Sequence, residues 1–156
     1  MIDAPHDLSP YEPRLFVGPG PTGLDDIGVL AEHGVTGLLS LQTDDDLGAR
    51  GLRWSTLWQI YTARGITAER VPIRDFDRRD FARNIEAGLA ALDPLLASCA
   101  RVYLHCTAGL NRSPTLALAH LYRTLGPERA LAALMERHPD AVPYPETLTK
   151  WWKRSP

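Results

Sequence analysis

Cysteine is scarce in this chain. Two occur in 156 residues, Cys99 and Cys106, and they do not share a paired metal-ligand spacing. A disulfide framework and a cysteine-based metal site are therefore not expected. A chain of this length buries roughly two-thirds of the surface it exposes when unfolded, so it needs no such staple. Long hydrophobic runs are missing too. None approaches the ~20 residues that span a bilayer, and Met1 to Pro10 lacks the basic-then-apolar pattern of a leader peptide. Charge of one sign is not in excess: 17 Lys and Arg face 19 Asp and Glu, for a formal charge of −2. Without a global basic field, neither nucleic acid nor a membrane is an expected partner, and an anionic substrate has to be drawn by a local site. Repeats and low-complexity segments are absent. Reduced thiols point to the cytoplasm. What remains is 44% hydrophobic and 23% charged, the composition of a globular protein. Residues 1–156 read as one domain.

Strand and helix signals alternate. Leu15-Phe16-Val17, ending at Gly18, predicts an edge strand. Thr22 and Asp25 have capping-box spacing ahead of a helix that carries Ile27, Leu30 and Ala31 on one face and closes at Gly34. Val35 to Leu41 predicts a strand, and Asp44-Asp45-Asp46 a loop after it. Ser55 can cap a helix running to about Arg64. Ile66 to Ile73 predicts a strand and Arg74 to Asp80 a charged loop. Phe81 to Ala97 reads as a helix, with Pro94 expected to kink it or to begin a new turn. Arg101 to His105 predicts a strand, followed by a buried helix from Arg112 to about Leu125. Glu128 to Arg137 and Glu146 to Lys153 complete the helices, either side of a proline-rich turn from His138 to Pro145. This alternation predicts an α/β sandwich on a mostly parallel sheet. In such folds ligands bind beyond the carboxyl ends of the strands.

The run His105-Cys106-Thr107-Ala108-Gly109-Leu110-Asn111-Arg112-Ser113 occupies such a place. A loop that holds a phosphate monoester needs several backbone N–H groups, a helix N-terminus and a nucleophile beneath the phosphorus. Cys106 and Arg112, with five residues between them at the junction of strand and helix, can meet all three needs. The amides of Thr107, Ala108, Gly109, Leu110 and Asn111 can curl around an oxyanion, and Gly109 frees the backbone for that curl. Arg112 offers a planar fork for two phosphate oxygens. A free thiol titrates near ~8.5, and one at a helix N-terminus beside a guanidinium falls to about 3.5–7.5. Ser113 can donate to the sulfur, and His105 can orient the loop through a backbone carbonyl. Taken alone, the cysteine reads as a small core residue and the arginine as a surface charge. The complete run at a strand-to-helix junction carries the chemical reading.

His105 through Ser113 matches the HC-x-x-G-x-x-R-S pattern of the cysteine-dependent protein tyrosine phosphatase superfamily, and the short chain resembles its dual-specificity branch. Arg14-Leu15-Phe16-Val17-Gly18 and Gly34-Val35 with Leu38-Leu39-Ser40-Leu41 resemble that branch's first strands. Leu41-Gln42-Thr43-Asp44, Ile73-Arg74-Asp75-Phe76-Asp77 and Cys106-Thr107-Ala108-Gly109 are similar to the plant glucan phosphatases, although Asn111 stands where those usually carry glycine and Ser113 where many carry alanine. The resemblance implies a single-domain, protein-tyrosine-phosphatase-like three-layer sandwich. It also implies hydrolysis of phosphomonoesters through a phosphocysteine, with no metal or cofactor.

Thiolate attack requires a proton for the leaving oxygen. Asp75, Asp77 and Asp80 are the candidates in the charged loop. In the family the acid loop lies about thirty residues before the cysteine, which favours Asp75 and leaves Asp80 and Asp77 in reserve. Phe76, next to Asp75, can stack on an aromatic or sugar leaving group or can anchor its own loop. Trp54, Trp58, Trp151 and Trp152 are expected to pack. Cys99 is expected to be an inert buried thiol; the alternative is a reversible Cys99–Cys106 disulfide. Three functions are open: a phosphoprotein phosphatase, a phosphatase on a phosphoglucan, phosphoinositide or RNA 5′ end, and a catalytically silent phosphate-binding module. A sulfur carrier with a loop cysteine is a further rival, and it would not call for the upstream acid.

Overall fold

A computed structural model describes residues 5–155. In chain order the strands are β1 (His6–Asp7), β2 (Leu15–Gly18), β3 (Gly37–Ser40), β4 (Thr67–Arg70) and β5 (Val102–His105). The helices are α1 (Asp25–Glu32), α2 (Asp44–Gly48), α3 (Trp54–Ala63), α4 (Arg78–Ser98), α5 (Arg112–Leu125), α6 (Pro127–Arg137) and α7 (Pro145–Arg154). The sheet order is β1-β2-β5-β3-β4. All neighbours are parallel except β1, which pairs antiparallel with β2. Among the described residues no helix is long and apolar enough to cross a membrane.

The two central strands are covered on both faces. Every residue of β3 and β5 is buried, as a parallel sheet between helices requires. Alternate side chains separate onto two cores. Leu39, Val102 and Leu104 pack with Phe81, Ile85, Leu116 and Leu134 under α4 to α7. Leu38 and Tyr103 pack with Ile27, Leu57 and Tyr61 under α1 and α3. Each fully buried leucine contributes about 1.5–3 kcal/mol. The register puts Gly18, His105, Ser40 and Arg70 side by side at the carboxyl ends of the four parallel strands. The chain leaves β5 at that row and re-enters as α5, and Cys106 lies between.

The structure departs from the sequence reading at several element boundaries. β2 is not an edge strand, since the two-residue β1 covers its outer side. Thr22 does not cap α1. The N-cap is Leu24, without a side-chain bond, and Thr22 donates its amide and hydroxyl to Asp26 instead. Ser55 lies inside α3, whose N-cap is Arg53. The charged loop is shorter than expected: Asp77 accepts the Asp80 amide and starts α4 at Arg78. α4 then runs unbroken through Pro94 to Ser98.

The largest departure is Asp44-Asp45-Asp46, which begins a helix and not a loop. Aspartate has poor helix propensity in mid-helix, but these three occupy a first turn, where the dipole favours negative charge. Thr43 Oγ1 accepts the Asp46 amide at 3.2 Å, and Asp46 Oδ2 accepts the Thr43 amide at 2.9 Å, a reciprocal capping box.

Candidate active site

The loop from Cys106 to Asn111 is held by its carbonyls. Cys106 O accepts from His105 Nδ1 at 2.9 Å. Thr107 O accepts the Gly20 amide at 3.0 Å. Gly109 O accepts from His138 Nε2 at 2.7 Å, and Leu110 O accepts the Val142 amide at 2.6 Å. Asn111 O accepts from Thr115. Among the described residues, none of the amides of 107–111 donates to a protein acceptor. In a trans peptide the N–H points opposite to the preceding C=O. Carbonyls tied outward therefore turn the following amides toward the loop's centre. Gly109, at φ +77°, permits this course, and a Cβ there would lie 2.5 Å from the Gly18 carbonyl carbon. The result is a nest of donors ahead of the α5 N-terminus, suited to an anion.

Cys106 and Arg112 line one cavity of about 230 Å³ together with Asp75, Phe76, Leu110 and Val142. Cys106 Sγ lies 3.2 Å from Ser113 Oγ, and Ser113 is buried. The hydroxyl is the donor when the sulfur is a thiolate. Arg112 is only 1% exposed. Its Nη1 donates to Asp46 Oδ2 at 2.7 Å, to Ile73 O at 2.8 Å and to Leu41 O at 3.4 Å. Its Nε faces Asp75 Oδ1 at 3.4 Å without a hydrogen bond. One edge of the guanidinium is thus fixed by the fold, and the Nε side faces the cavity. Burial pushes the Asp46 carboxyl up, but the hydrogen bonds from Arg112 and the Thr43 amide, with the Arg112 charge, outweigh it and hold the group below the usual carboxylate range.

His105 is fully enclosed, and burial lowers its imidazole to about 4. It is therefore neutral at pH 7, and its Nδ1–H is the donor to Cys106 O. It is buried, and its contact with the loop is this bond to the Cys106 carbonyl.

The three loop aspartates part company. Asp75 side-chain atoms are 42% exposed at the cavity mouth. Asp77 is the α4 N-cap. Asp80 accepts the Arg74 amide at 2.7 Å and pairs with Arg83 at 2.9 Å. The Arg74 amide bond is the main cause that holds its carboxyl low. Of the three, only Asp75 lines the cavity with Cys106. Phe76 takes φ +54° and is 79% exposed. Positive φ is uncommon for a bulky residue and collects at binding sites. It does not anchor its loop, and with Leu110 and Val142 it makes an apolar rim.

Several contributors lie outside the motif. Asp46 is the acidic anchor of Arg112, and the spacing Thr43-x-x-Asp46 is the sequence signal that marks its capping box. Gln42, fully buried, donates from Nε2 to Thr107 Oγ1 at 3.1 Å. The 138–144 segment braces the loop a third time, through Asn111 Nδ2 to Val142 O at 2.6 Å. No local sequence pattern signals His138 or Val142, since their role arises from α6 folding back.

Cys99 is buried at the opposite end of β5, against Gly37. Seven residues, most of them extended, put its Cα about 20 Å from that of Cys106, beyond disulfide reach. Trp54 and Trp151 pack as expected, whereas Trp58 is exposed. A larger cleft of about 710 Å³, lined by Trp54, Arg70 and Asp44, holds none of the motif residues. Among the described residues no three His, Cys, Asp or Glu side chains converge as metal ligands.

The family model described as dual specificity phosphatase, catalytic domain, matches residues 22–150. The phosphoglucan phosphatase DSP4 of Castanea sativa is 32% identical over 116 residues, covering 73% of this chain and 31% of that protein. Dual specificity protein phosphatase 1-A of Xenopus laevis is 35% identical over 54 residues, covering 35% of this chain and 15% of that protein. The chain thus spans a third or less of the length of either relative. The crystal structure of Tk-PTP in the active form superposes with a TM-score of 0.71 at 20% identity, covering 93% of this chain and 95% of that one.

Proposed function

The chain belongs to the dual-specificity phosphatase catalytic-domain family, and from that membership we propose that residues 1–156 act as one catalytic domain that hydrolyses phosphomonoesters through a phosphocysteine on Cys106. The observation that carries the reading is the ring of outward-tied carbonyls, which leaves the amides of 107–111 as donors above a buried sulfur. Arg112 stands beside them with one edge already fixed.

A phosphate dianion in this nest replaces the missing acceptors of those amides and takes the Nε side of Arg112. Cys106 Sγ then attacks phosphorus. The Sγ–P bond forms, the bond from phosphorus to the ester oxygen breaks, and Asp75 gives its proton to that oxygen. In the second step Asp75 takes a proton from water as the water attacks phosphorus. The Sγ–P bond breaks, phosphate leaves, and the Ser113 hydroxyl stabilises the departing sulfur. The charge on the equatorial oxygens meets donors that the fold holds in place beforehand, the principal source of catalysis in phosphoryl transfer.

The preferred substrate is a phosphoprotein, at tyrosine and also at serine or threonine. The apolar rim of Phe76, Leu110 and Val142 suits a planar phenyl group at the mouth of the cup. The cytoplasm, which keeps thiols reduced, suits a nucleophile of this kind. A second reading takes phosphoglucan as substrate. It is supported by the longer stretch of likeness to DSP4, and Phe76 can stack on a sugar as well. Turnover of p-nitrophenyl phosphate by the wild type, and none by Cys106→Ser, tests the enzymatic reading against a silent binding module. An inert wild type would refute the enzymatic reading. Phosphate release from phosphopeptides against solubilised phosphoglycogen separates the two substrates.

A further inference from the structure

Beside the cup lies a groove of about 190 Å³ between the first turn of α4 and the outer side of α7. Arg78 and Arg79 line it from α4, and Lys150 and Arg154 from α7, with Glu146 as its one carboxylate. Among the described residues none of these four cations forms an ion pair, whereas Arg70, Arg74, Arg83, Arg112 and Arg123 all do. Four like charges on facing helices repel one another, and in a chain of net charge −2 nothing global requires them to gather. An anion seated between them would relieve that repulsion.

The groove is joined to the cup. The Arg78 guanidinium lies 5.0 Å from the centre of the Tyr144 ring. Tyr144 in turn sits within the electrostatic reach of Asp75 and Arg112, and its amide is tied to Thr115 in α5. Asp75 at the cup and Arg78 at the groove are three residues apart. Three residues of extended chain reach about 10 Å at most.

We propose that this groove binds a second anionic group of a phosphopeptide substrate, a phosphate or a cluster of carboxylates two to four residues from the phosphoresidue held in the cup. The inference rests on the phosphoprotein reading above and adds the flanking charge that the enzyme selects.

The test compares kcat/KM for peptides that share one phosphotyrosine and differ at positions two to four residues to either side. The flank is neutral, glutamate or phosphoserine. The wild type is expected to prefer an anionic flank on one side by about five- to tenfold, the sum of several weak exposed pairs. The phosphoserine and glutamate arms show which anion supplies the charge. In Arg79→Gln with Lys150→Gln the ratio of anionic to neutral flank falls to about one, and in Lys150→Glu it falls below one. Both residues are exposed, and a ratio of two rates on one protein sample is unaffected by partial misfolding. The wild-type preference also declines as added salt screens it. Equal rates for all flanks, or a preference that survives both variants, overturns the proposal. So does a stronger preference for a multiply phosphorylated inositol headgroup than for any peptide. Absence of p-nitrophenyl phosphate turnover would instead refute the phosphatase reading itself.

Discussion

Asp46→Asn tests how the cup is built. The wild-type carboxylate receives Nη1 of a guanidinium that is 1% exposed, so the pair lies in a region of reduced screening. A hydrogen bond to a charged partner contributes about 1.5–3 kcal/mol, roughly twice a neutral one. The amide oxygen of asparagine still accepts, and Ile73 O and Leu41 O remain. The expected loss is therefore about 1–2 kcal/mol, read as a lower urea midpoint at unchanged slope. Asp46→Ala removes the acceptor entirely and should destabilise by about 2–4 kcal/mol, below the full range for breaking a buried pair because Asp46 is 17% exposed. Activity should fall further than stability. An Arg112 free to shift by ~1 Å loses its alignment, which can reduce kcat/KM by about 100-fold. The pH dependence has a defined sign. The folded carboxyl titrates below its ordinary value, so its contribution is complete above about pH 4 and is lost as pH falls through the folded value. The stability gap between wild type and Asp46→Asn should be constant from pH 7 to about 5 and close on further acidification. A gap that widens with acid, or an Asp46→Ala variant with wild-type stability and turnover, would refute the reasoning.

Asp75→Asn should slow the hydrolysis of alkyl phosphates far more than that of esters with acidic phenols, because only poor leaving groups need the proton; equal slowing across a leaving-group series removes Asp75 from the acid role. Gly109→Ala should abolish phosphate binding as seen by calorimetry, since the methyl meets Gly18 and Pro19 backbone at 2.5–2.6 Å in a left-handed conformation. Ser113→Ala should leave the first phenol burst intact and slow the steady state by about 10–100-fold, the loss of one charged hydrogen bond to the leaving sulfur. Loss of the burst itself would place Ser113 in the first step.

Much of the site is legible in the sequence because its parts are local. Cys106, Arg112 and Ser113 lie within eight residues, at a junction that hydrophobic patterning predicts from Val102 and Leu104 on one side and the buried run of α5 on the other. The mostly parallel sheet follows from the alternation of elements. Asp46 is hidden because three aspartates in a row read as a solvated loop, and only the reciprocal bonding with Thr43 turns them into a helix. Asp77 and Asp80 read as candidate acids by composition, but Asp77 caps α4 and Asp80 is engaged by the Arg74 amide and Arg83. His138 and Val142 are invisible for a different reason: their partners lie 29 or more residues away, and no local pattern records a backbone contact made by tertiary folding.

That last contact sets an order of events. Cys106 and Arg112 leave the ribosome well before His138 and Val142, whose bonds fix Gly109 and Leu110. Until residues 138–144 emerge and dock, the Gly109 and Leu110 carbonyls lack the partners that turn the following amides, those of Leu110 and Asn111, inward. A nascent chain therefore carries Cys106, Arg112 and Ser113 while one side of the cup is still unbraced. The cup is complete only once the segment between the last two helices has docked against it.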